Sequence, residues 1–185
     1  MKKIGITGSL ASGKTTASKF LSYKRGPLFS ADNVVKKFYR SNKFKNKLKK
    51  KFSLENTINL KKKVRDKILE DGLNIRKLEQ IIHPLVRGEM KRFVKKYKKK
   101  PLLFFEIPLL IESKLMRMFD CIIFIKAAKS LRIKRFISKG GNKKLFKILN
   151  KRQLIDKKKI KYCDYVVVNE KNKNILKNDL LSIIF

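Results

Sequence analysis

A glycine-rich loop near the start of the chain limits what this sequence can fold into more than any other feature. Its eight residues, Gly8-Ser9-Leu10-Ala11-Ser12-Gly13-Lys14-Thr15, follow an apolar stretch at 3–7 and precede apolar residues at helical spacing. A buried strand, a glycine turn and a helix in this order are typical of the first unit of a parallel α/β sheet.

The glycine-rich loop (residues 8–15) matches the Walker A pattern, in which backbone N–H groups surround phosphate oxygens and a helix N-terminus adds its positive end. Lys14 is predicted to reach the β- and γ-phosphates of ATP, and the Thr15 hydroxyl is predicted to bind Mg²⁺. An ordinary glycine turn is the weaker alternative, because a strand precedes the loop and a helix follows it. The residues expected to bind ATP here are Gly8, Ala11, Ser12, Gly13, Lys14, Thr15 and Thr16.

Four further short apolar segments are predicted as strands, with helical patterns between them: 28–29, 102–105, 121–125 and 165–168. Such strands indicate a parallel sheet covered on both faces. Right-handed crossovers then place the loops after the strands at one edge, where ligands bind. Gly8, Asp32 and Glu106 would share this edge. The predicted fold is a three-layer α/β core with a five-stranded parallel sheet.

The stretch 34–100 shows helical patterns and no convincing strand, and it is interpreted as an inserted helical substrate lobe. Its clearest helix covers 82–97, with Pro84 in the first turn. Gly140-Gly141 is predicted to be a flexible break. The other helices are predicted at 109–118 and 130–138, in a lysine-rich stretch ending near 159, and at 175–184.

The formal net charge of +36 would ordinarily point to nucleic acid. However, the chain has 40 Lys against 10 Arg, spread along its whole length, whereas recognition of bases and phosphates favours arginine. We therefore attribute the charge to compositional drift toward lysine. A basic RNA-associated protein is the alternative, and selective RNA binding that persists at physiological salt would favour it.

The sequence also bears on whether the chain spans a membrane and on the state of its cysteines. No apolar run is long enough to span a bilayer. The first residues lead directly into the glycine-rich loop, which a cleavable signal would remove, so a cytoplasmic protein is expected. Cys121 and Cys163 are expected to be small buried thiols, neither paired in a disulfide nor bound to metal.

Five blocks in order along the chain resemble the signatures of the dephospho-CoA kinase family. The His-Pro-Leu and Pro-Leu-Leu-x-Glu blocks are more specific than the glycine-rich loop, and the resemblance covers nearly the whole chain. The blocks are residues 8–16, Ser30-Ala31-Asp32, Ile82-His83-Pro84-Leu85-Val86, Ile107-Pro108-Leu109-Leu110-Ile111-Glu112, and Gln153 with Cys163-Asp164-Tyr165-Val166 and Asn169.

This resemblance implies transfer of the ATP γ-phosphoryl group to the ribose 3′-hydroxyl of dephospho-CoA, the last step of coenzyme A synthesis, with Mg²⁺ as cofactor. Another small-molecule or nucleoside monophosphate kinase on the same fold is the alternative. The chain is interpreted as one domain with a P-loop kinase core at 1–33, 101–138 and 160–185, a CoA-binding lobe at about 34–100 and a short helical lid at about 139–159. We expect a monomer whose partners are ATP and dephospho-CoA, without a specific nucleic-acid or membrane partner.

The resemblance also implies catalytic roles. Lys14 and Arg135 would neutralise the transferring charge, and Thr15 would position Mg²⁺. Asp32 would act as the base or as a Mg²⁺-associated carboxylate, although a helix N-cap is an equal alternative from sequence. Glu106 is a candidate second metal ligand, or equally a structural hydrogen-bond partner.

Substrate-binding roles follow in the same way. Asp32, His83, Pro108 and Leu109 are expected to contact the acceptor, although His83 would equally fit packing near a helix start. Asn169 resembles an adenine-side ATP contact, although a turn residue would fit it nearly as well.

Two positions depart from the family pattern. Ser30 stands where relatives often have Asp, and Lys139 stands where a lid Arg is usual. Lysine lacks the bidentate fork of arginine, so a slower lid is expected. Four other cations could meet acceptor phosphates, with solvated helix charges as the default interpretation: Lys61, Lys62, Lys63 and Arg65.

Overall fold

The computed structural model describes residues 1–183. Contacts divide the chain into two compact units. The sheet unit comprises Met1–Ser30 and the chain from Val94 onward, and the helical unit comprises Ala31–Phe93.

The sheet unit is built on five parallel strands in the order β2-β3-β1-β4-β5. This arrangement confirms the predicted five-stranded parallel α/β sheet. The strands are β1 (Lys2–Gly8), β2 (Leu28–Ser30), β3 (Leu102–Glu106), β4 (Cys121–Lys126) and β5 (Tyr165–Val168).

The register brings several strand ends to one edge of the sheet. Glu106 at the end of β3 pairs with Ile6 of β1 and with Ser30, the last residue of β2. Gly8, where β1 ends, pairs with Ile125 near the end of β4. The carboxyl ends of β1, β2, β3 and β4 therefore lie together, as expected for the ligand edge of a parallel sheet.

Two helices cover one side of this sheet with apolar side chains. Helix α1 (Lys14–Ser22) buries Ala17 and Leu21, and helix α9 (Lys173–Leu181) buries Leu176 and Leu180 in the same cluster. Helix α9 overlaps the predicted helix at 175–184, but it begins at Lys173 and ends at Leu181. Residue 184 lies outside the described part. The strand side chains in this core are Ile4, Ile6, Phe104, Ile123, Ile125 and Val167.

The segment 109–118 forms turns followed by a single 3-10 turn at Met116–Met118, so the predicted helix is wrong. One hydrogen bond of the α-helical type forms here, from the Ser113 N–H to the Leu109 carbonyl four residues earlier. Lys114 then adopts a left-handed conformation, with φ of 54°, and the Leu115 N–H closes the turn on Leu110. The apolar spacing reflects burial of Leu110 in the turn rather than a continuous helix.

Three helices follow β4: α6 (Lys129–Ile137), α7 (Lys143–Lys151) and α8 (Asp156–Ile160). Helix α6 confirms the prediction at 130–138. The predicted lysine-rich helix ending near 159 is in fact two helices, because Ile155 is extended, with ψ of 148°. Gly140, with φ of 81°, lies in the predicted break between α6 and α7.

The helical unit contains α2 (Ala31–Phe38), α3 (Asn42–Lys51), α4 (Leu60–Glu70) and most of α5 (Asn74–Lys96), without a strand. Helix α5 begins at Asn74, so Pro84 lies inside the helix and its placement in a first turn is wrong. The buried Ile75 and Ile81 extend the apolar face toward the N-terminus, which is why the helix starts earlier than the pattern from 82 onward indicated.

Both cysteines are partly buried and neither forms a disulfide. Burial, reinforced by Asp164, raises the pKa of Cys121 to about 11 and that of Cys163 to about 12. Both are therefore protonated thiols near neutral pH. No helix among the described residues is long and apolar enough to cross a membrane.

Two neighbouring leucines of α9 provide a test of this core. Leu180 is fully buried, whereas Leu181 is 49% exposed. Leu180→Ala should lower the free energy of unfolding by about 2–5 kcal/mol, because it leaves a cavity against the sheet. Urea unfolding followed by circular dichroism measures the change. The matched control, Leu181→Ala, should change stability by less than about 1 kcal/mol; equal losses would contradict the packing described.

Candidate nucleotide-binding and catalytic site

The glycine-rich loop passes so close to neighbouring groups that two of its positions have no room for a side chain. At Gly8, with φ of 150°, a Cβ would lie 2.3 Å from the Ile125 carbonyl oxygen. At Gly13, with φ of 96°, it would lie 2.0 Å from the Asn169 Nδ2 atom. Both positions therefore require glycine for space and for backbone conformation.

Helix α1 starts directly after this loop. The N–H groups of Thr16 and Ala17 donate to the Gly13 carbonyl at 3.0 and 3.1 Å, which begins the helical hydrogen-bond pattern. The side chain of Lys14 is only 8% exposed, and its Nζ donates to the Ser9 carbonyl at 2.9 Å. A lysine charge and a helix N-terminus thus meet at one short loop, an arrangement that favours an anion there.

A hydroxyl and a carboxylate meet at the base of the loop. Thr15 Oγ1 donates to Glu106 Oε1 at 2.5 Å, and Glu106 is 1% exposed. The other carboxylate oxygen, Oε2, is buried and has no hydrogen-bond partner among residues 1–183. Hard oxygen atoms of this kind are suited to Mg²⁺, either directly or through water.

The far side of the loop is held by two predicted site residues. Asn169, 7% exposed, donates from Nδ2 to the Ser12 carbonyl at 2.8 Å, and its own N–H donates to Lys126 of β4 at 2.8 Å. Arg135 Nη1 donates to the Asn169 carbonyl at 3.0 Å and to the Ser12 carbonyl at 3.5 Å. These contacts join β4, α6 and the loop after β5 to the glycine-rich loop.

Three loop contacts were not predicted from the sequence. Gln153 Oε1 accepts from the Leu10 N–H at 2.7 Å, and an Asp156 carboxylate oxygen accepts from the Ser9 hydroxyl. Arg132, 7% exposed, donates from Nη1 to the Leu10 carbonyl at 3.4 Å. Burial lowers the pKa of Arg132, and the nearby Asp156 acts in the opposite direction.

One signal in the sequence could have indicated Arg132. It lies three residues before Arg135, so the two side chains share one face of α6. Gln153 belongs to one of the blocks that resemble the family signatures. However, no pattern in the sequence around Gln153 indicates that its side chain reaches Leu10, 143 positions earlier in the chain.

The remaining predicted residues fall in both units. Pro108 lies beside the sheet edge, where its carbonyl accepts from Thr7 Oγ1 at 3.4 Å, and Leu109 next to it is partly buried. Asp32 and His83 belong to the helical unit. Asp32 is exposed in the first turn of α2, two residues after the end of β2, and His83 is partly buried within α5.

The family comparison agrees with this geometry. Residues 2–174 match the model of the dephospho-CoA kinase family. The chain belongs to the dephospho-CoA kinase family. The predicted resemblance, the kinase activity and the acceptor, dephospho-CoA in the last step of coenzyme A synthesis, are thereby confirmed.

Individual relatives match over almost the full chain. The dephospho-CoA kinase of Bartonella henselae is 31% identical over 189 residues, covering 100% of this chain and 97% of the relative. That of Zymomonas mobilis is 32% identical over 174 residues, covering 91% and 88%.

Solved structures share the fold. A Thermus thermophilus protein superposes with a TM-score of 0.75 at 24% identity, covering 98% of this chain and 95% of its own. The dephospho-CoA kinase of Campylobacter jejuni superposes with a TM-score of 0.61 at 20% identity, covering 97% and 94%. A deoxyadenosine kinase from M. mycoides superposes with a TM-score of 0.54 at 15% identity, covering 98% of this chain and 97% of its own, and shares the fold.

The crowding at Gly13 gives a direct test. Gly13→Ala should weaken ATP binding by roughly tenfold or more, because the new methyl group displaces either Asn169 or the loop. Isothermal titration calorimetry with ATP and Mg²⁺ measures this. Gly88→Ala is the matched control, since a Cβ there meets nothing within 4 Å. Unchanged affinity in Gly13→Ala would contradict the close packing.

Proposed function

We propose that the protein binds ATP with Mg²⁺ on the glycine-rich loop and transfers the γ-phosphoryl group to the ribose 3′-hydroxyl of dephospho-CoA. The observation that carries this proposal is the contact of Thr15 with the buried Glu106 at the base of the loop. It provides a metal-compatible oxygen pair beside a loop that has no room for side chains at two positions.

Phosphate binding in this proposal uses the backbone and one lysine. Helix α1 begins directly after the loop, where an anion would interact favourably with the helix N-terminus. Lys14 would exchange its contact with the Ser9 carbonyl for the β- and γ-phosphates. Arg135 would add charge to the transferring group, and Asn169 would border the adenine, as the family resemblance implies.

The magnesium ion would be held through Thr15 and Glu106. The buried Glu106 oxygen without a hydrogen-bond partner among the described residues supports this assignment. No group of three or more candidate metal-binding side chains occurs among residues 1–183, which fits an ion that is bound mainly through nucleotide phosphates. When bound, Mg²⁺ neutralises phosphate charge during the transfer.

The acceptor side rests on the family resemblance. The acceptor oxygen attacks the γ-phosphorus, the bond between that phosphorus and the β–γ bridging oxygen breaks, and Asp32 receives or orients the hydroxyl proton. His83, Pro108 and Leu109 would contact dephospho-CoA. Residues 34–100 would form the acceptor lobe and residues 139–159 a lid that excludes water. A monomeric enzyme without nucleic-acid or membrane partners remains our expectation.

An acceptor panel tests the proposed reaction. The purified protein is incubated with ATP, Mg²⁺ and either dephospho-CoA or one of several nucleoside monophosphates, and ADP release is measured. We expect ADP above background with dephospho-CoA and a product phosphorylated at the 3′-hydroxyl. ADP formation with a nucleoside monophosphate but none with dephospho-CoA would overturn the assigned acceptor.

The catalytic roles are tested by two substitutions. Lys14→Ala should abolish turnover, because the phosphates lose their cation. Asp32→Asn should lower kcat by roughly a hundredfold or more while leaving the KM for ATP nearly unchanged, because the amide accepts no proton. Asp66→Asn removes an exposed carboxylate of the same helical unit and is the control. Near-normal turnover in Asp32→Asn would remove Asp32 from the catalytic set.

A further inference from the structure

A buried ion pair joins two distant parts of the sheet unit. Lys159 Nζ lies 2.8 Å from Glu112 Oε1, with side-chain exposures of 0% and 13%. The same Glu112 oxygen accepts from the Leu154 N–H at 3.0 Å. One carboxylate thus fixes both helix α8 and the segment that leads into it.

The burial of Lys159 is unusual in a chain whose lysines mostly face solvent. A fully buried ammonium group is rare unless it is paired, and removing one partner of a buried pair is strongly destabilising. The position of the ammonium group is therefore tied to Glu112. The segment between Leu154 and Lys159 is held at both of its ends by the same side chain.

Asp156 lies within the segment 154–159 and its side chain reaches the glycine-rich loop. Gln153, directly before this segment, also reaches the loop. Gln153 Oε1 accepts from the Leu10 N–H at 2.7 Å, and Asp156 accepts from the Ser9 hydroxyl. These contacts bind the first half of the loop, whereas Asn169 binds the second half through Ser12. Both halves of the loop are thus hydrogen-bonded to residues that lie more than 140 positions later in the chain.

We propose that Gln153 and Asp156 are positioning residues of the glycine-rich loop, and that the buried Lys159–Glu112 pair keeps them in place. This inference rests on the proposed function, which places the phosphates of ATP on that loop. Gln153 fixes the direction of the Leu10 peptide, so the neighbouring N–H groups are oriented before the nucleotide binds. A preorganised loop binds its ligand without the cost of ordering.

The role of Asp156 is that of a hydrogen-bond acceptor. Its negative charge lies beside a loop that receives an anionic nucleotide, so the charge itself opposes binding. An amide oxygen can also accept a hydrogen bond from the Ser9 hydroxyl. The hydrogen bond and the charge can therefore be separated by substitution.

The first experiment measures binding of AMP-PNP with Mg²⁺ by calorimetry, together with KM and kcat. Gln153→Ala should raise the Kd for AMP-PNP and the KM for ATP roughly tenfold, and leave the KM for dephospho-CoA unchanged. Asp156→Ala should weaken AMP-PNP binding severalfold, whereas Asp156→Asn should bind at least as well as the wild type. Wild-type Kd in Gln153→Ala, or equal losses in both Asp156 variants, would overturn the proposal.

The second experiment tests the ion pair with two adjacent lysines of α8. Lys159→Met removes the buried cation, and Lys158→Met removes an exposed one of the same length. We expect Lys159→Met to raise the Kd for AMP-PNP severalfold and to lower Tm, and Lys158→Met to change neither. A lowered Tm with unchanged Kd would show that the pair only stabilises the fold, which would overturn its positioning role.

The proposed function and this inference are tested by separate measurements. Wild-type turnover with dephospho-CoA is assayed alongside the variants. If that turnover is absent, the proposed reaction fails, but the AMP-PNP affinities still decide whether Gln153 and Asp156 position the loop. If Lys159→Met does not fold, the Gln153 and Asp156 variants still decide whether these two residues position the glycine-rich loop.

Discussion

The site depends first on the pairing of β1 with β3 on one side and β4 on the other. This pairing ends β1 at Gly8 beside Ile125, and it brings Glu106 level with the end of β2. Because parallel strands present their carboxyl ends at one edge, a hydroxyl near the start of the chain meets a carboxylate 91 positions later. The metal-compatible oxygen pair is thus a product of sheet register.

Local sequence patterns predicted the parts of the fold that depend on local physics. All five strands were predicted correctly, because each is a short run of apolar residues next to residues typical of a turn or a helix. The errors came from elements decided by tertiary contacts. A left-handed Lys114 stops the predicted helix at 109–118, an extended Ile155 divides the lysine-rich helix, and buried residues upstream of Ile82 place Pro84 inside α5.

The site was predictable to a similar degree. The glycine-rich loop is a continuous motif, and the family resemblance supplied the acceptor. The contacts of Gln153, Asp156 and Arg132 with the loop could not be predicted, because hydrogen bonds between distant residues leave no periodic signal in one sequence. Asn169 was predicted as a nucleotide contact, and the structure adds a hydrogen bond from its amide to the loop itself.

The contact of Lys14 with the Ser9 carbonyl has a consequence for the energetics of nucleotide capture. The ammonium group already has a hydrogen-bond acceptor inside the protein, so in the proposed function a phosphate would replace the Ser9 carbonyl as its partner. The free energy released is the difference between a charge–dipole and a charge–charge contact, which is much smaller than the latter alone.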